Sequence, residues 1–335
     1  MQKNDNLKRH VGFDILKCIC AFLVICIHAP FPGEFGKYIV ALSRIAVPIF
    51  FMITGFYYKR VECNNKENDQ IYKVVKLILL STIIYIIFDI IKYSLSGKMV
   101  DFISYIFSFK TIIKLVVLNE SPFSGHLWYM NSLLYVLIIY KFLLRKEKSK
   151  KIMLVSSIIL LIVDLCLGKY SLVLFNNEIS YFYLRNFVFV GLPYFTIGYY
   201  LNKYLNNRKK NNTIINIILI NIFVLTNIAE RYLLIKYNVN SVRDSYISTI
   251  FLSIQVFILF YNISKDCGLL NIIGKKYSTY IYIFHPIVIT ILLKVLKGFS
   301  FYSIYMYIQP LIVFVVTWFV SYIYVLIIPQ KKSNN

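Results

Sequence analysis

Long apolar runs separated by short charged segments set the pattern of this chain. A membrane-spanning helix needs about 20 mostly apolar residues. Ten such stretches are found, at about residues 12–30, 38–58, 71–94, 127–144, 152–168, 186–203, 213–230, 246–263, 278–297 and 303–328. Some are short, and the last is long enough to tilt or bend. Residues 102–118 are also apolar but contain Lys110 and Lys114, which predicts an interfacial or re-entrant helix. The expected fold is all-α, a polytopic integral membrane protein of about ten transmembrane helices. No internal repeat and no long outer loop is visible. A single membrane domain over 1–335, with its core at 11–328 and no soluble catalytic domain, is therefore expected.

Composition supports the same class. Of 335 residues, 59% are hydrophobic and 16% charged, against about 25% charged in soluble domains. Too little polar surface is available to coat a soluble fold. Disordered, collagen-like and disulfide-framework chains are excluded by the same numbers.

The 37 basic residues outnumber the 15 acidic ones. Placing the N-terminus in the cytoplasm puts roughly twice as many Lys and Arg on inner segments as on outer ones, which is the bias of cytoplasmic loops. A multi-pass protein of the cell membrane with both termini cytoplasmic is expected, and membrane lipid is its first partner. No basic stripe marks a folded soluble module, so nucleic acid is not expected as a partner. The six cysteines form no paired metal-ligand spacing, so buried thiols and no metal site are expected. Lys3, Lys8 and Arg9 precede the first apolar run, but Asp14 and Lys17 sit inside it and no small-residue cleavage site follows. It reads as a retained span rather than a signal peptide.

A charge at the bilayer centre costs at least about 2.5–3.5 kcal/mol, so polar residues inside the spans need a reason. The first span holds Asp14, Lys17 and His28. Eleven residues at 100° each bring His28 to within about 20° of the face of Lys17, and roughly 16 Å along the axis. Asp14, three residues before Lys17, can pair with it. A polar stripe then runs from the inner surface to a histidine near the outer one; a snorkelling, neutralised lysine and an interfacial histidine would give the same spacing. Arg44 falls near the outer end of the second span, where Pro48 should bend the helix and Gly55 permit close packing. An arginine there could bind an anion or snorkel outward. His126 and Trp128 open the fourth span as an interfacial pair, Arg185 and Asn186 the sixth, and Asp244 precedes the eighth. His285 lies midway down the ninth, before Pro286. By topology, His28, Arg44, His126, Arg185 and Asp244 all fall near the outer leaflet, as a site between helices would require.

These motifs resemble acyltransferase family 3, the integral-membrane acyltransferases. In that family an arginine, ten residues and a histidine mark the first span; here Lys17 and His28 hold those positions, with Asp14 three residues earlier. "RIAVPIFFMITGFYY", "HLWYM" and "YIYIFHPIV" resemble later landmarks, in the same order, so the similarity covers nearly the whole chain. Those motifs, the Arg185–Asn186 pair and Asp244–Ser245 most resemble the membrane half of the vancomycin-resistance serine racemases. There a soluble racemase domain follows; here the chain stops at Asn335, and racemisation is not expected. Lysine keeps the charge of the family arginine but lacks its bidentate fork; Arg9 or Arg44 could take that role.

The resemblance implies transfer of an acyl group, commonly acetyl, from cytoplasmic acetyl-CoA to a hydroxyl of an envelope carbohydrate or small-molecule acceptor. Acyl-CoA would be a co-substrate, with no bound cofactor. His28 would be general base or transient acyl carrier. Asp14, assigned to the catalytic set with it, and Lys17 would line the inward path. Arg44, His126, Trp128, Arg185, Asp244 and His285 would bind substrate or steady the oxyanion. The alternative implied by the subgroup is transport of serine or a similar amino acid, without acyl transfer.

Overall fold

The computed structural model describes residues 9–207, 212–239, 241 and 245–328. Among them the secondary structure is entirely helical. In chain order the α-helices are α1 (Val11–His28), α2 (Gly33–Ser43), α3 (Ala46–Cys63), α4 (Glu67–Leu95), α5 (Met99–Ile106) and α6 (Phe109–Leu118). They continue with α7 (Trp128–Phe142), α8 (Glu147–Leu167), α9 (Ser171–Phe175), α10 (Leu192–Asn206) and α11 (Thr213–Lys236). The last are α12 (Ile247–Tyr261), α13 (Leu269–Ile272), α14 (Ser278–Leu296) and α15 (Tyr302–Ile327). Two π-helical turns, Phe187–Gly191 and Ile273–Tyr277, lead into α10 and α14.

All ten predicted apolar stretches fall on helices. Among the described residues, six helical segments are long and apolar enough to cross a membrane on their own: Val11–His28, Gly33–Cys63, Glu67–Leu95, Thr213–Lys236, Leu269–Leu296 and Tyr302–Ile327. Of the other four, α7, α10 and α12 are 15-residue helices and α8 begins in a lysine-rich turn. The stretch at 102–118 falls on two short helices, α5 and α6, broken where Ser108 caps the second by accepting from the Thr111 amide.

Proline explains the breaks inside the longer segments. The second predicted span is two helices, α2 and α3, with a turn at Arg44–Ile45. Pro48 has no N–H to offer the Arg44 carbonyl four residues back, so the helical ladder cannot pass that point. The bend thus comes at Arg44 itself, while Pro48 sits in the tolerant first turn of α3. In α15, Pro310 accompanies a non-helical Ile308 (φ −115°, ψ 15°), which is the expected bend in the last span.

The helices form two units. The first holds residues 9–50, 212–239, 241 and 246–328. Here α1 is the enclosed helix, packed by α2, α12, α13, α14, α15 and the second π turn. Cys18, Ala21, Ile25 and Ala29, spaced by three or four, present one face of α1 to Ile273, Tyr277, Ile281, Val288 and Val313. Gly274 lets the π turn lie directly on α1, since a Cβ there would stand 1.6 Å from the Asp14 carbonyl oxygen. The outer helix α11 exposes Ile214, Ile218, Ile222 and Leu225, the apolar outer face that lipid requires.

The second unit holds residues 51–207 and Ser245. In it α3 and α10 pack backbone to backbone: Gly55 faces the Phe195 carbonyl and Gly198 the Met52 carbonyl, each at about 2 Å from an added Cβ. That is the close approach expected of Gly55. Buried Lys150 pairs with Glu62 and donates to the Tyr199 hydroxyl at 3.1 Å, while Tyr199 donates to Glu62 Oε2 at 2.9 Å. The charges of this network are therefore compensated inside the unit.

Candidate functional site

Within the first unit, two histidines from different helices meet. His28 is the last residue of α1 and is exposed, whereas His285 of α14 is fully buried. Their ring centroids lie 5.1 Å apart, at 49°. The local sequence of α14 fixes the second ring. Pro286 cannot donate to the Tyr282 carbonyl, and His285 Nδ1 lies 2.8 Å from that oxygen and 3.2 Å from the Ile281 oxygen. A carbonyl only accepts, so Nδ1 carries the proton in these contacts and Nε2 is the nitrogen with the lone pair. The carbonyl that proline leaves without its helical amide donor is thus used to set the tautomer of the residue before it.

The N-terminal end of α1 carries a separate ionic cluster. Asp14 is buried, and Arg9 binds it through both edges, Nε to Oδ2 at 2.6 Å and Nη2 to Oδ1 at 2.9 Å. Lys17 reaches Oδ1 at 3.5 Å. The expected Asp14–Lys17 pair is therefore present, but the bidentate partner is Arg9, which supplies the fork that Lys17 lacks. Asp14 and His28 do not meet: fourteen residues of helix separate them, about 21 Å. His10, just before α1, packs its ring against Phe13 and Tyr261, and burial holds its imidazole below the ordinary pKa of 6.5.

Arg44 lies at the turn after α2, close enough to Tyr246 to act on its hydroxyl electrostatically. Its neighbourhood contains Arg231 of α11, buried over the Tyr38 ring and paired with Glu34. In the sequence Arg231 stands at the end of an apolar run, the position of an ordinary loop charge. The signal that could have found it is its four-residue spacing from Asn227, which puts the two polar side chains on one face of α11.

His126, Trp128 and Arg185 come together in the second unit. The Arg185 guanidinium lies 5.5 Å from the Trp128 ring, 4.9 Å from Tyr181 and 5.5 Å from Phe182. His126 Nδ1 is 2.7 Å from Ser124 Oγ, and its ring is 5.3 Å from Tyr85. Asn119 ties the cluster: Nδ2 donates to the Trp128 carbonyl and Oδ1 accepts from the Phe187 amide. Asn186 caps the π turn by accepting from the Val188 and Phe189 amides. Asp244 lies outside the described residues. No group of three or more His, Cys, Asp or Glu with metal-holding geometry occurs among the described residues.

Comparison with known proteins places this arrangement. The sequence model of the family described as "Acyltransferase domain" matches residues 10–329. An "Amino-acid racemase" of Enterococcus faecalis is 27% identical over 219 residues, 60% of this chain and 29% of that protein. A second protein of the same name and organism is 27% identical over 150 residues, 40% of this chain and 19% of its own length. The chain thus spans less than a third of the curated relatives it matches. No solved structure matches significantly. With the match running through α1, both histidines and α15, the chain belongs to the Acyltransferase domain family.

Proposed function

We propose that the protein transfers an acyl group, acetyl first among the candidates, from CoA on the cytoplasmic side to a hydroxyl of a cell-envelope carbohydrate or related acceptor, with both chain termini cytoplasmic. The observation that carries this reading is the meeting of exposed His28 with buried, tautomer-fixed His285. His28 is the ring a substrate can reach. It takes the proton of the acceptor hydroxyl as that oxygen attacks the thioester carbonyl. The tetrahedral intermediate then expels CoA thiolate, which takes the same proton back from His28. His285, with its Nδ1–H held by the Tyr282 carbonyl, offers a lone pair beside the imidazolium formed in between.

Arg9, Lys17 and Asp14 leave one net positive charge at the inner end of α1, which suits the approach of the anionic CoA. In the second unit, Arg185 among its aromatic rings, with Trp128 and His126, is proposed as a sugar-binding cluster of that unit by itself, since flat aromatic faces and a guanidinium are suited to sugar rings and their oxygens. Acyl-CoA enters as co-substrate and leaves as CoA.

The test uses acetyl-CoA labelled in the acetyl group and membranes with or without the protein. Protein-dependent label in the envelope fraction is the expected result and identifies where the acceptor resides. No label, with the protein folded in the membrane, overturns the proposal; serine uptake by the same vesicles would then favour a carrier.

A further inference from the structure

Arg231 is among the largest side chains wholly enclosed in the protein. Its charge cannot be shed by deprotonation, so its donors require partners. Nη2 meets Glu34 Oε2 at 3.2 Å, and the Tyr246 hydroxyl is a second hydrogen-bond neighbour of the guanidinium. Nε and Nη1 are buried and have no hydrogen-bond partner among the described residues. One turn earlier on the same face of α11, Asn227 is 1% exposed and donates Nδ2 to Ser248 Oγ at 2.8 Å. Its Oδ1 is also buried without a partner. Side by side, then, are two unanswered donors on a fixed cation and one unanswered acceptor.

Among the described residues, the nearby carboxylates do not answer them. Glu34 is largely exposed and shares itself with Lys37, whose Nζ is 2.7 Å from Oε1. Glu230 is engaged at the start of α12, accepting from the Ile247 and Ser248 amides and the Ser248 hydroxyl. A buried arginine with open donors is costly unless a group of opposite charge meets them. The acceptor beside it asks the same group to carry an O–H or N–H.

We propose that Arg231 and Asn227 form a binding site for a small organic anion, a carboxylate or phosphate monoester, bearing a hydroxyl or amino group next to its charge. Anionic oxygen meets Nε and Nη1, and the neighbouring donor meets Asn227 Oδ1. The site is built on α11 and is independent of the histidine pair and of acyl transfer.

The experiment titrates the full chain, purified in detergent, with lactate, glycerol 3-phosphate, acetate and glycerol, read by calorimetry and by thermal unfolding. Lactate or glycerol 3-phosphate is expected to bind and raise Tm, and the stronger of the two tells carboxylate from phosphate. Acetate, which lacks the second donor, should bind about 10-fold more weakly, the value of one hydrogen bond, and glycerol should not bind. Asn227→Leu should lower the affinity for the hydroxylated anion about 10-fold, to that of acetate, while leaving acetate unchanged. Arg231→Lys should weaken every anion. If neither hydroxylated anion binds the wild type, or if Asn227→Leu binds it as wild type does, the site is refuted. Asn227→Leu retains the charge network, so it carries the test even if the Arg231 variant fails to fold.

Discussion

Replacing Pro286 by alanine separates stability from activity in a way that the α14 geometry makes specific. Alanine restores an N–H aimed at the Tyr282 carbonyl, the oxygen that His285 Nδ1 now holds at 2.8 Å. Proline inside a helix costs about 3 kcal/mol relative to alanine in an unadapted host. Because α14 has adapted to it, a smaller gain is expected, about 1 kcal/mol, seen as a rise of a few degrees in Tm. The restored amide competes for the carbonyl, which has two lone pairs, so the His285 contact weakens rather than vanishes. A neutral hydrogen bond is worth about 0.5–1.5 kcal/mol net, so the preference for the Nδ1–H tautomer falls by about 2- to 10-fold. Acyl transfer should fall by a similar factor while Tm rises. Initial rates in membranes, normalised to folded protein, and unfolding in detergent measure the two quantities. Activity that stays constant, or rises with Tm, would refute the tautomer argument.

Other perturbations test the remaining elements. Gly274→Val should cost at least about 3 kcal/mol and sharply reduce folded yield, because the backbone oxygen of Asp14 cannot yield to a side chain; Gly298→Ala, with open space around it, should be neutral by the same detergent-stability assay. In the Glu62–Lys150–Tyr199 network, Glu62→Gln should cost about 3 kcal/mol and Lys150→Met less, since Lys150 is the more buried charge and is left unpaired only in the first variant; equal losses would contradict this. Burial lowers the His10 pKa, so below pH 6.5 the unfolded chain binds more protons than the folded one. Tm should therefore drop as pH falls from 7.5 to about 5.5, and His10→Phe should flatten that drop; an unchanged slope would exclude His10 as its source. Asp14→Asn should loosen Arg9 and Lys17 and cost about 1–2 kcal/mol, held down by the partial exposure of both cations.

Much of the fold was legible because burial in lipid leaves a mark on every residue of a span. The ten apolar stretches all became helices, Pro48 marked the break near Arg44, and the length of the last stretch allowed for its bend at Ile308. What was not legible depended on which helices are neighbours. His28 and His285 were each singled out by polarity in an apolar run, but nothing in the spacing brings α1 to α14. The Asp14–Lys17 pair followed from helical periodicity, whereas Arg9 precedes the helix and its bidentate contact depends on how the chain enters α1. Trp128 and Arg185 likewise meet only through packing of the second unit. Arg231 was not legible because its burial is a property of the fold, and its sequence position at the end of an apolar run resembles that of an ordinary loop charge.

The central claim is that His28, backed by His285, moves the proton in acyl transfer. The most direct measurement compares label transfer from acetyl-CoA in membranes holding equal folded amounts of wild type and His28→Ala. The account predicts that the alanine variant loses at least about 100-fold in rate, the usual contribution of a positioned general base, with Tm close to wild type because His28 is exposed. Transfer at the wild-type rate by folded His28→Ala would contradict it.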